Sequence, residues 1–349
     1  MAQPRPLTVS RLERLEDVPA GDWARLAEAS GNVFATPEWL TLWWKHFAEG
    51  SSLRAHAVEG GDGLVALLPL HLWRARPPRT LRFLGHGPSD LMGPVCGASD
   101  RGAAAAALGE ALAEGGWDVL LAERLPSAEV LPASLGAREV QREASPVLRI
   151  DGTSWEDFLA AKSSNFRQQA RRRERKLAKE HELRFRLAND PARLEADLQV
   201  LFSLHEGRWA ESGSGALRDR RAAFHREFAH VALERGWLRL WLLELGGRPA
   251  AAWYGLRYAG RELYYQAGRD PAFEGYAVGF VLLVHTVREA MNDGMREYDF
   301  LRGGEGYKDR FTDDQTAVLT LAAGRGVLGR SAVALAPRAR RLLRGRMSV

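Results

Sequence analysis

The chain has 349 residues, a net charge of +5, 46% hydrophobic residues and a single cysteine, Cys96. This length favours two domains of ordinary size, and the apolar content excludes a chain that is disordered throughout. One cysteine excludes internal disulfides and argues against a cysteine-based zinc cluster. No apolar run approaches about 20 residues and the N-terminal residues lack a signal-peptide core, so we expect a soluble, cytoplasmic protein.

The first half of the chain predicts a complete small α/β domain. Its elements are, in order, a strand, two helices, a glycine-turned hairpin, the strand TLRFLGHG, an alanine-rich helix over 101–114 and the strand WDVLLAERL. Thr36 followed by Pro37 is typical of a helix start, and the tryptophans after them are expected in a core. Asp90 and His86, in the loop after TLRFLGHG, are interpreted as loop-structural residues, with a small site as the alternative.

A domain boundary is predicted near SPVLRID, which gives domains 1–148 and 149–326 and a basic helix or tail over 327–349. Ser154 begins a long predicted helix with acidic residues in its first turn, as the helix dipole favours. Its later cations lie on neighbouring stripes: Arg167, Arg171, Arg172, Arg175, Lys176 and Lys179. A solvated helix face and an anion-binding patch both remain open. A nucleic-acid site is disfavoured, because no reader motif or aromatic interleaving accompanies the cations.

The second half, after two further predicted helices, contains a meander followed by a glycine-bearing loop. The strands WLRLWLLEL, PAAAWYGLRY and RELYYQAG are joined by tight turns and lead into RDPAFEGYAVG. The apolar run FVLLVHTVREAM predicts a helix, and REYDFL and TAVLTLAA predict further strands. This order indicates a mixed sheet. A loop between a strand and a helix leaves N–H groups that can hold a phosphate, although no P-loop or dinucleotide fingerprint is present.

Several of these segments resemble the GNAT acetyltransferase superfamily, and within it the CelD-like group associated with polysaccharide biosynthesis. The matching pieces are FATPEWLTLWWKHF, FRQQARRRERKLAKE, LHEGRW and GYAVGFVLL…YDFLRGGEGYKDRF. A distant similarity to the Fem peptidyltransferases, which pair two GNAT-like domains, is also implied. The resemblance implies an α/β (α+β) fold of two tandem GNAT-like domains, each with a mixed, largely antiparallel sheet flanked by helices. The N-terminal domain is predicted to be non-catalytic, because no matching polar cluster follows its strand–loop–helix.

The resemblance implies acetyl-CoA or another acyl-CoA as co-substrate, and no metal. By analogy the coenzyme lies between ELYYQAG and REYDFL, with its pyrophosphate at the loop and helix start: Gly275, Ala277, Val278, Gly279 and Phe280. The superfamily's loop pattern, Gln/Arg-x-x-Gly-x-Gly/Ala, appears in degenerate form here. Glu274 stands at its first position and is a poor neighbour for a pyrophosphate.

Acyl transfer from a thioester needs a deprotonated acceptor, a stabilised oxyanion and a proton for the departing thiolate. Tyr307 is the candidate proton donor, with a turn anchor as its structural alternative. Asp299 and Glu305 are candidates for the base or for acceptor binding, and a structural acceptor is the alternative for Asp299 if it faces helix ends. The candidate acceptor-binding residues are His205 and Arg208, which share a helix face, and Arg302 and Lys308.

These acceptor-binding candidates have structural alternatives. Arg302 and Lys308 alternatively pair with Glu305 and Asp309. His205 alternatively packs in the core, and His285, on an apolar helix face, is interpreted as structural.

The sequence thus predicts direct transfer of an acyl group, chiefly acetyl, to an amine or hydroxyl of a sugar, polysaccharide precursor or small metabolite. The expected partners are acyl-CoA and a small-molecule or glycan acceptor, and no DNA. Two alternatives stay open: a Fem-like transferase that uses aminoacyl-tRNA, and a non-catalytic accessory protein of envelope polysaccharide synthesis. The basic tail is a candidate for peripheral membrane contact, with a frayed terminal helix as its alternative.

Overall fold

The computed structural model describes residues 7–61, 63–74, 76–127, 129, 131–209 and 215–335. The chain forms two compact units: unit 1 extends to Ala144 and resumes at Thr316, and unit 2 is Ser145–Gln315. Each unit contains a six-stranded mixed sheet flanked by helices, so the predicted α/β (α+β) class with two domains is confirmed. Within these residues, no helix combines the length and apolarity needed to cross a membrane.

The elements are numbered here in chain order. The helices are α1 (Ala20–Ser30), α2 (Pro37–Phe47), α3 (Arg101–Ala113), α4 (Trp155–Ala161), α5 (Ser164–Glu180), α6 (Leu194–Trp209), α7 (Gly215–Glu234) and α8 (Val278–Asn292). The strands are β1 (Thr8–Arg11), β2 (Ser52–Leu53), β3 (His56–Gly60), β4 (Gly63–Leu68), β5 (Leu70–Arg74), β6 (Thr80–Phe83), β7 (Val119–Pro126), β8 (Arg138–Ala144), β9 (Val147–Arg149), β10 (Leu183–Leu187), β11 (Leu238–Leu245), β12 (Arg248–Tyr258), β13 (Arg261–Arg269), β14 (Glu297–Asp299) and β15 (Ala317–Gly324). Residues 326–335 are also helical.

Unit 1 has a six-stranded sheet of order β2-β5-β6-β7-β15-β8, and β1, β3 and β4 form a separate three-stranded sheet. Helix α3 connects the parallel strands β6 and β7. Thr36 caps α2 as predicted, since its hydroxyl accepts a hydrogen bond from the Trp39 amide at 3.3 Å. Trp39 and Trp43 are fully buried, which confirms the core interpretation for these two tryptophans.

The last strand departs from the predicted domain boundary at residue 326. Residues 317–324 are predicted to belong to the second domain, whereas β15 pairs with β7 on one side and β8 on the other, in unit 1. The chain therefore leaves unit 1 after Ala144 and returns to it at Thr316. The hydrophobic pattern of a strand does not identify its partners, so the sequence alone does not indicate which sheet β15 joins.

Unit 2 has a sheet of order β10-β11-β12-β13-β14-β9. The predicted meander is β11 to β13, and β10 adds a fourth antiparallel strand that the sequence pattern does not indicate. Helix α8 is the crossover that brings β14 parallel to β13. Helices α4, α5 and α8 share one hydrophobic core with the sheet, while α6 packs against β12 and β13.

The long helix predicted from Ser154 is two helices, which corrects that prediction. α4 ends at Ala161, and Ser163 begins α5 with its own cap, because its hydroxyl accepts a hydrogen bond from the Phe166 amide at 3.2 Å. Lys162 between them is extended, and its amine donates to the carbonyl of Phe311. All the predicted cations of this segment lie on α5, so their common stripes are retained.

Gly268 marks a close approach between α6 and β13. A β-carbon at Gly268 would lie 2.7 Å from the carbonyl carbon of Leu204. We expect Gly268→Ala to lower the free energy of unfolding by about 1–3 kcal/mol, because helix backbone cannot rotate away as a side chain can.

Gly275→Ala is the matched control for this prediction. A β-carbon at Gly275 meets nothing within 4 Å, so its effect is expected within about 0.5 kcal/mol. Denaturant unfolding followed by tryptophan fluorescence measures both variants. Equal stability of the two variants would contradict the packing of α6 on β13.

Candidate active site

The sheet of unit 2 opens between β13 and β14. These parallel strands pair from Arg261 to Leu263 of β13, but β13 continues to Arg269 while β14 ends at Asp299. A bulge in the β12–β13 pairing coincides with the point of divergence, and bulges bend and twist a strand. The chain then leaves β14 through Leu301, which has a left-handed φ of 51°. We call this opening, from Tyr264 onward, the β13–β14 cleft.

Helix α8 begins at the loop that follows β13. Ala277 is left-handed, with φ 53°, and its carbonyl accepts hydrogen bonds from the Phe280 and Val281 amides. Its own amide donates to the carbonyl of Glu274. Among the described residues, the amides of Val278 and Gly279 have no hydrogen-bond partner. The predicted donors from Ala277 to Phe280 are therefore narrowed to these two, at a helix end whose dipole favours an anion.

Arg269, at the end of β13, is a neighbour of this helix start that the sequence pattern does not indicate. Its Cδ lies 3.9 Å from the position a β-carbon would take on Gly279. Its guanidinium lies 3.5 Å from the carboxylate of Glu274, and both side chains are exposed. The charge of Glu274, which departs from the superfamily pattern, is thus offset locally. Exposed pairs of this kind contribute about 0–1 kcal/mol, so Arg269 can exchange Glu274 for a ligand at little cost.

The turn after β14 is built around Lys308, whose side chain is buried. Its amine donates to three backbone carbonyls at 3.1–3.3 Å, those of Leu301, Arg302 and Gly303. It also lies 3.0 Å from the carboxylate of Glu305. An ammonium has three donors, and all three of Lys308 are engaged inside the turn. Lys308 therefore fits the structural alternative, in which it pairs with Glu305, and not acceptor binding. Arg302 lies half-buried in the same turn.

Asp299 is likewise engaged within the fold. It is 2% exposed, and one carboxylate oxygen accepts from the Arg261 guanidinium at 2.8 Å while the other accepts from the Leu301 amide at 2.8 Å. These contacts hold the point where the strands diverge, which fits its structural alternative. A general base needs a lone pair within reach of the acceptor. Of the two predicted carboxylates, Glu305 is the more accessible, with its side chain 34% exposed.

Two phenols meet where the cleft opens. The ring of Tyr307 lies 6.3 Å from that of Tyr264, the first residue of β13 beyond its pairing with β14, and both are half-buried. Tyr298, deeper in the core, shares a 2.8 Å hydrogen bond with the hydroxyl of Thr286, and burial raises its pKa well above the usual value. Tyr298 is therefore a core group, whereas Tyr264 and Tyr307 line the opening. Sequence reasoning missed Tyr264, because an aromatic residue in a strand usually indicates a core.

His205 lies on α6, the helix that packs against β12 and β13 outside the core shared by α4, α5 and α8. Its Nδ1 donates to the carbonyl of Ala267 at 2.6 Å, which ties α6 to the part of β13 that extends past β14. Nearby, His225 is buried with its Nε2 3.4 Å from the Tyr265 hydroxyl, and burial lowers the pKa of His225 to about 3. The side chain of Arg208, also predicted on this helix, lies outside the described residues.

His285 is packed in the core of unit 2. Its ring stacks on Phe185 with centroids 3.9 Å apart, and Trp241 lies edge-on at 4.7 Å. Burial lowers the pKa of His285 to about 3, so the imidazole is neutral at physiological pH. This environment agrees with its interpretation as a structural residue.

Unit 1 has a similar strand–loop–helix, β6 to α3, but different residues fill its loop and begin its helix. The loop after β6 is held by Arg124 of β7, whose guanidinium donates to the carbonyls of Gly87 and Ser89 and lies 3.9 Å from Asp90. The N-cap of α3 is Asp100, whose carboxylate opposes binding of an anion there. His86 stacks on the buried His71 with ring centroids 5.2 Å apart. Asp90 and His86 thus take part in loop structure, as the sequence suggests.

Comparison with known families identifies the domain that contains the cleft. Residues 164–309 match the family described as an acetyltransferase (GNAT) domain. Unit 2 carries a GNAT acetyltransferase domain. The match covers the β13–β14 cleft, the start of α8 and the turn built around Lys308. No curated protein matches the chain by sequence. The GNAT part of the predicted resemblance is therefore confirmed, as is the prediction of an acyltransferase enzyme.

Solved structures extend the fold similarity to both units. FemX is 12% identical with a TM-score of 0.63, covering 92% of this chain and 98% of that one. L-PGS from Bacillus licheniformis is 11% identical, with a TM-score of 0.55 and coverages of 92% and 96%. A tandem GNAT protein from the clavulanic acid biosynthesis pathway is 17% identical, with a TM-score of 0.51 and coverages of 92% and 99%. These similarities show a shared fold, while membership of the CelD-like group stays a prediction.

The paired roles of Asp299 and Arg261 give a testable prediction. We expect Asp299→Asn to lower the free energy of unfolding by about 2 kcal/mol, because it removes a hydrogen-bonded buried charge. Arg261→Gln is expected to be destabilising, and the double variant to show a coupling of about 1 kcal/mol or more.

Denaturant unfolding of the wild type, the two single variants and the double variant measures this coupling. Additive losses would contradict the pairing. Unchanged stability of Asp299→Asn, with loss of turnover, would return Asp299 to the role of a base.

Proposed function

We propose that this protein transfers an acyl group, chiefly acetyl, from acyl-CoA directly to an amine or hydroxyl of a sugar, polysaccharide precursor or small metabolite. The observation that carries the proposal is the β13–β14 cleft, with the free amides of Val278 and Gly279 at the adjacent helix start. The GNAT domain supports the reaction class. The acyl-CoA donor is inferred from the chemistry of the site, and the acceptor class from the resemblance to the CelD-like group.

The coenzyme is proposed to lie along β13. Its pyrophosphate would rest on the amides of Val278 and Gly279, with Arg269 as an adjacent cation. Its pantetheine arm would then follow the strand from Arg269 back to Tyr264. Five residue steps of a strand span about 16 Å, a length that an extended pantetheine arm covers. The thioester would thus reach the phenols where the cleft opens.

The transfer is proposed to be direct. The acceptor nitrogen or oxygen attacks the thioester carbonyl, the C–S bond breaks, and the thiolate leaves with a proton from the Tyr307 phenol. Glu305 is proposed to take the proton of the acceptor, while Asp299 and Lys308 keep the turn in shape. A covalent intermediate on Cys96 is not part of the proposal, since burial raises the pKa of that thiol to about 12 and deprives it of thiolate character.

The exposed cations of α5 favour a second candidate function. The exposed cations are Arg171, Arg172, Arg175, Lys176 and Lys179, of which Lys176 lies 4.0 Å from the carboxylate of Glu180. In this alternative the chain is a Fem-like transferase that takes its acyl group from aminoacyl-tRNA, whose phosphates these cations neutralise. Salt-sensitive tRNA binding without coenzyme binding would select it.

Calorimetry with acetyl-CoA tests the proposal directly. We expect binding with a Kd between about 1 μM and 1 mM, the range of typical enzyme substrates. Mass spectrometry of incubations with candidate amino sugars should then show products heavier by one acetyl group. Absence of binding at millimolar acetyl-CoA would contradict the proposal.

Tyr307→Phe tests the proposed proton donor. We expect kcat to fall about 100-fold or more, since a positioned general acid contributes that much, with the Kd for acyl-CoA changed less than about twofold. Tyr276→Phe is the control, because this phenol lies on the loop before α8, where its ring contacts the Lys176 amine and the His181 ring and not Tyr264. Full turnover by Tyr307→Phe would assign the proton to another group.

A further inference from the structure

Arg310 is a cation with a fixed orientation and, within the part of the chain that the structure describes, no carboxylate partner. Its guanidinium carbon lies 4.6 Å from the ring centre of Phe280 on α8 and 5.5 Å from that of Phe166 on α5. One of its nitrogens donates to the side-chain oxygen of Gln169 at 3.0 Å, and the Gln169 amide in turn donates to Asn165 at 2.9 Å. Two aromatic rings and one amide therefore fix the guanidinium plane without neutralising its charge.

Arg173 is a second cation beside it. Arg173 is half-buried on α5, one helical turn beyond Gln169 and two turns beyond Phe166, the two α5 residues that Arg310 contacts. Burial, and then the charge of Arg173, lowers the pKa of Arg310. Among the residues that the structure describes, neither arginine has a carboxylate within ion-pair distance. Two like charges held side by side are unfavourable unless an anion lies between them. The pair is therefore suited to an anionic ligand.

Arg288 shows how a neutralised arginine is arranged between the same two helices. From α8 it donates two nitrogens to the carboxylate of Glu174 on α5, at 3.2 and 3.3 Å. Glu174 directly follows Arg173 in the sequence, so α5 supplies a carboxylate for Arg288 and none for Arg173 or Arg310. The arginines between α5 and α8 are thus divided into one that serves the fold and two that retain their charge.

We propose that Arg173 and Arg310 form a subsite for a phosphate monoester, namely the 3′-phosphate on the ribose of the coenzyme. The inference rests on the proposed function. Phe280, on whose ring Arg310 lies, directly follows Gly279 in the sequence, so a single aromatic side chain connects the subsite to the helix start proposed for the pyrophosphate. A doubly charged phosphate matches two guanidiniums, each of which can give charge-assisted hydrogen bonds.

Calorimetry with coenzyme A and 3′-dephospho-coenzyme A on the full chain tests the subsite. We expect the wild type to bind coenzyme A about tenfold or more tightly than the dephospho form, as charge-assisted hydrogen bonds provide. Arg310→Gln and Arg173→Gln are each expected to reduce that ratio to about two or less, with the Kd for the dephospho form changed less than about twofold. Arg288→Gln, the matched control, should keep the wild-type ratio.

The outcomes separate the subsite from the proposed function. Equal wild-type affinity for the two ligands would overturn the subsite and leave acyl-CoA binding intact. Parallel weakening of both ligands by Arg310→Gln would also overturn it, because the pair would then contact another part of the coenzyme. If the wild type binds neither ligand, the proposed function fails together with the subsite. A wild type that binds tRNA in a salt-sensitive way but no coenzyme, and loses tRNA binding in Arg310→Gln, would also overturn the subsite. The two arginines would then bind a polynucleotide.

The subsite can still be tested if one of the two variants fails to fold. Arg310 packs on two rings, so its replacement can disturb the interface, whereas Arg173 makes no described hydrogen bond or ion pair. Thermal unfolding of each variant shows whether the fold is kept. If Arg310→Gln unfolds, Arg173→Gln alone decides, and a wild-type ratio in that variant overturns the proposal.

Discussion

The candidate site depends on a parallel strand pair that ends early. β13 and β14 are held together over Arg261–Leu263, and the contacts of Asp299 with Arg261 and the Leu301 amide fix the point of divergence. Beyond it, β13 loses one neighbouring strand while β12 still supports its other edge. The same divergence sends the chain into the turn that Lys308 organises and brings Tyr307 beside Tyr264. Cleft, turn and phenols are therefore consequences of one constraint.

The charges at the helix start that follows the strand determine which ligands can bind there, and these charges differ between the two units. In unit 2 the start of α8 has two free amides and Arg269 beside them, with Arg173 and Arg310 on the flank. In unit 1 the corresponding helix begins at Asp100, and Arg124 is bonded to the carbonyls of its own loop. One topology thus supports an anion site in unit 2 and a self-contained loop in unit 1. Function follows the local residues, not the fold.

Much of the fold could be predicted from the sequence because periodicity and caps are local signals. The meander, α8 and the Thr36 cap are examples. The break at Ser163 could not be predicted from the sequence. A serine inside a helical pattern caps a new helix only if the residue before it adopts a non-helical conformation. The sheet joined by β15 depends on distant pairing. At the site, Tyr307 and the α8 start are evident in the sequence, whereas Arg269 and Tyr264 depend on how β13 meets its neighbours.

The most direct test of this account is a crystal structure of the full chain with coenzyme A bound. We expect the pantetheine arm to lie along β13 between Tyr264 and Arg269, with the pyrophosphate on the amides of Val278 and Gly279 and the thiol near Tyr307. A coenzyme bound in unit 1, or on unit 2 away from the β13–β14 cleft, would contradict it.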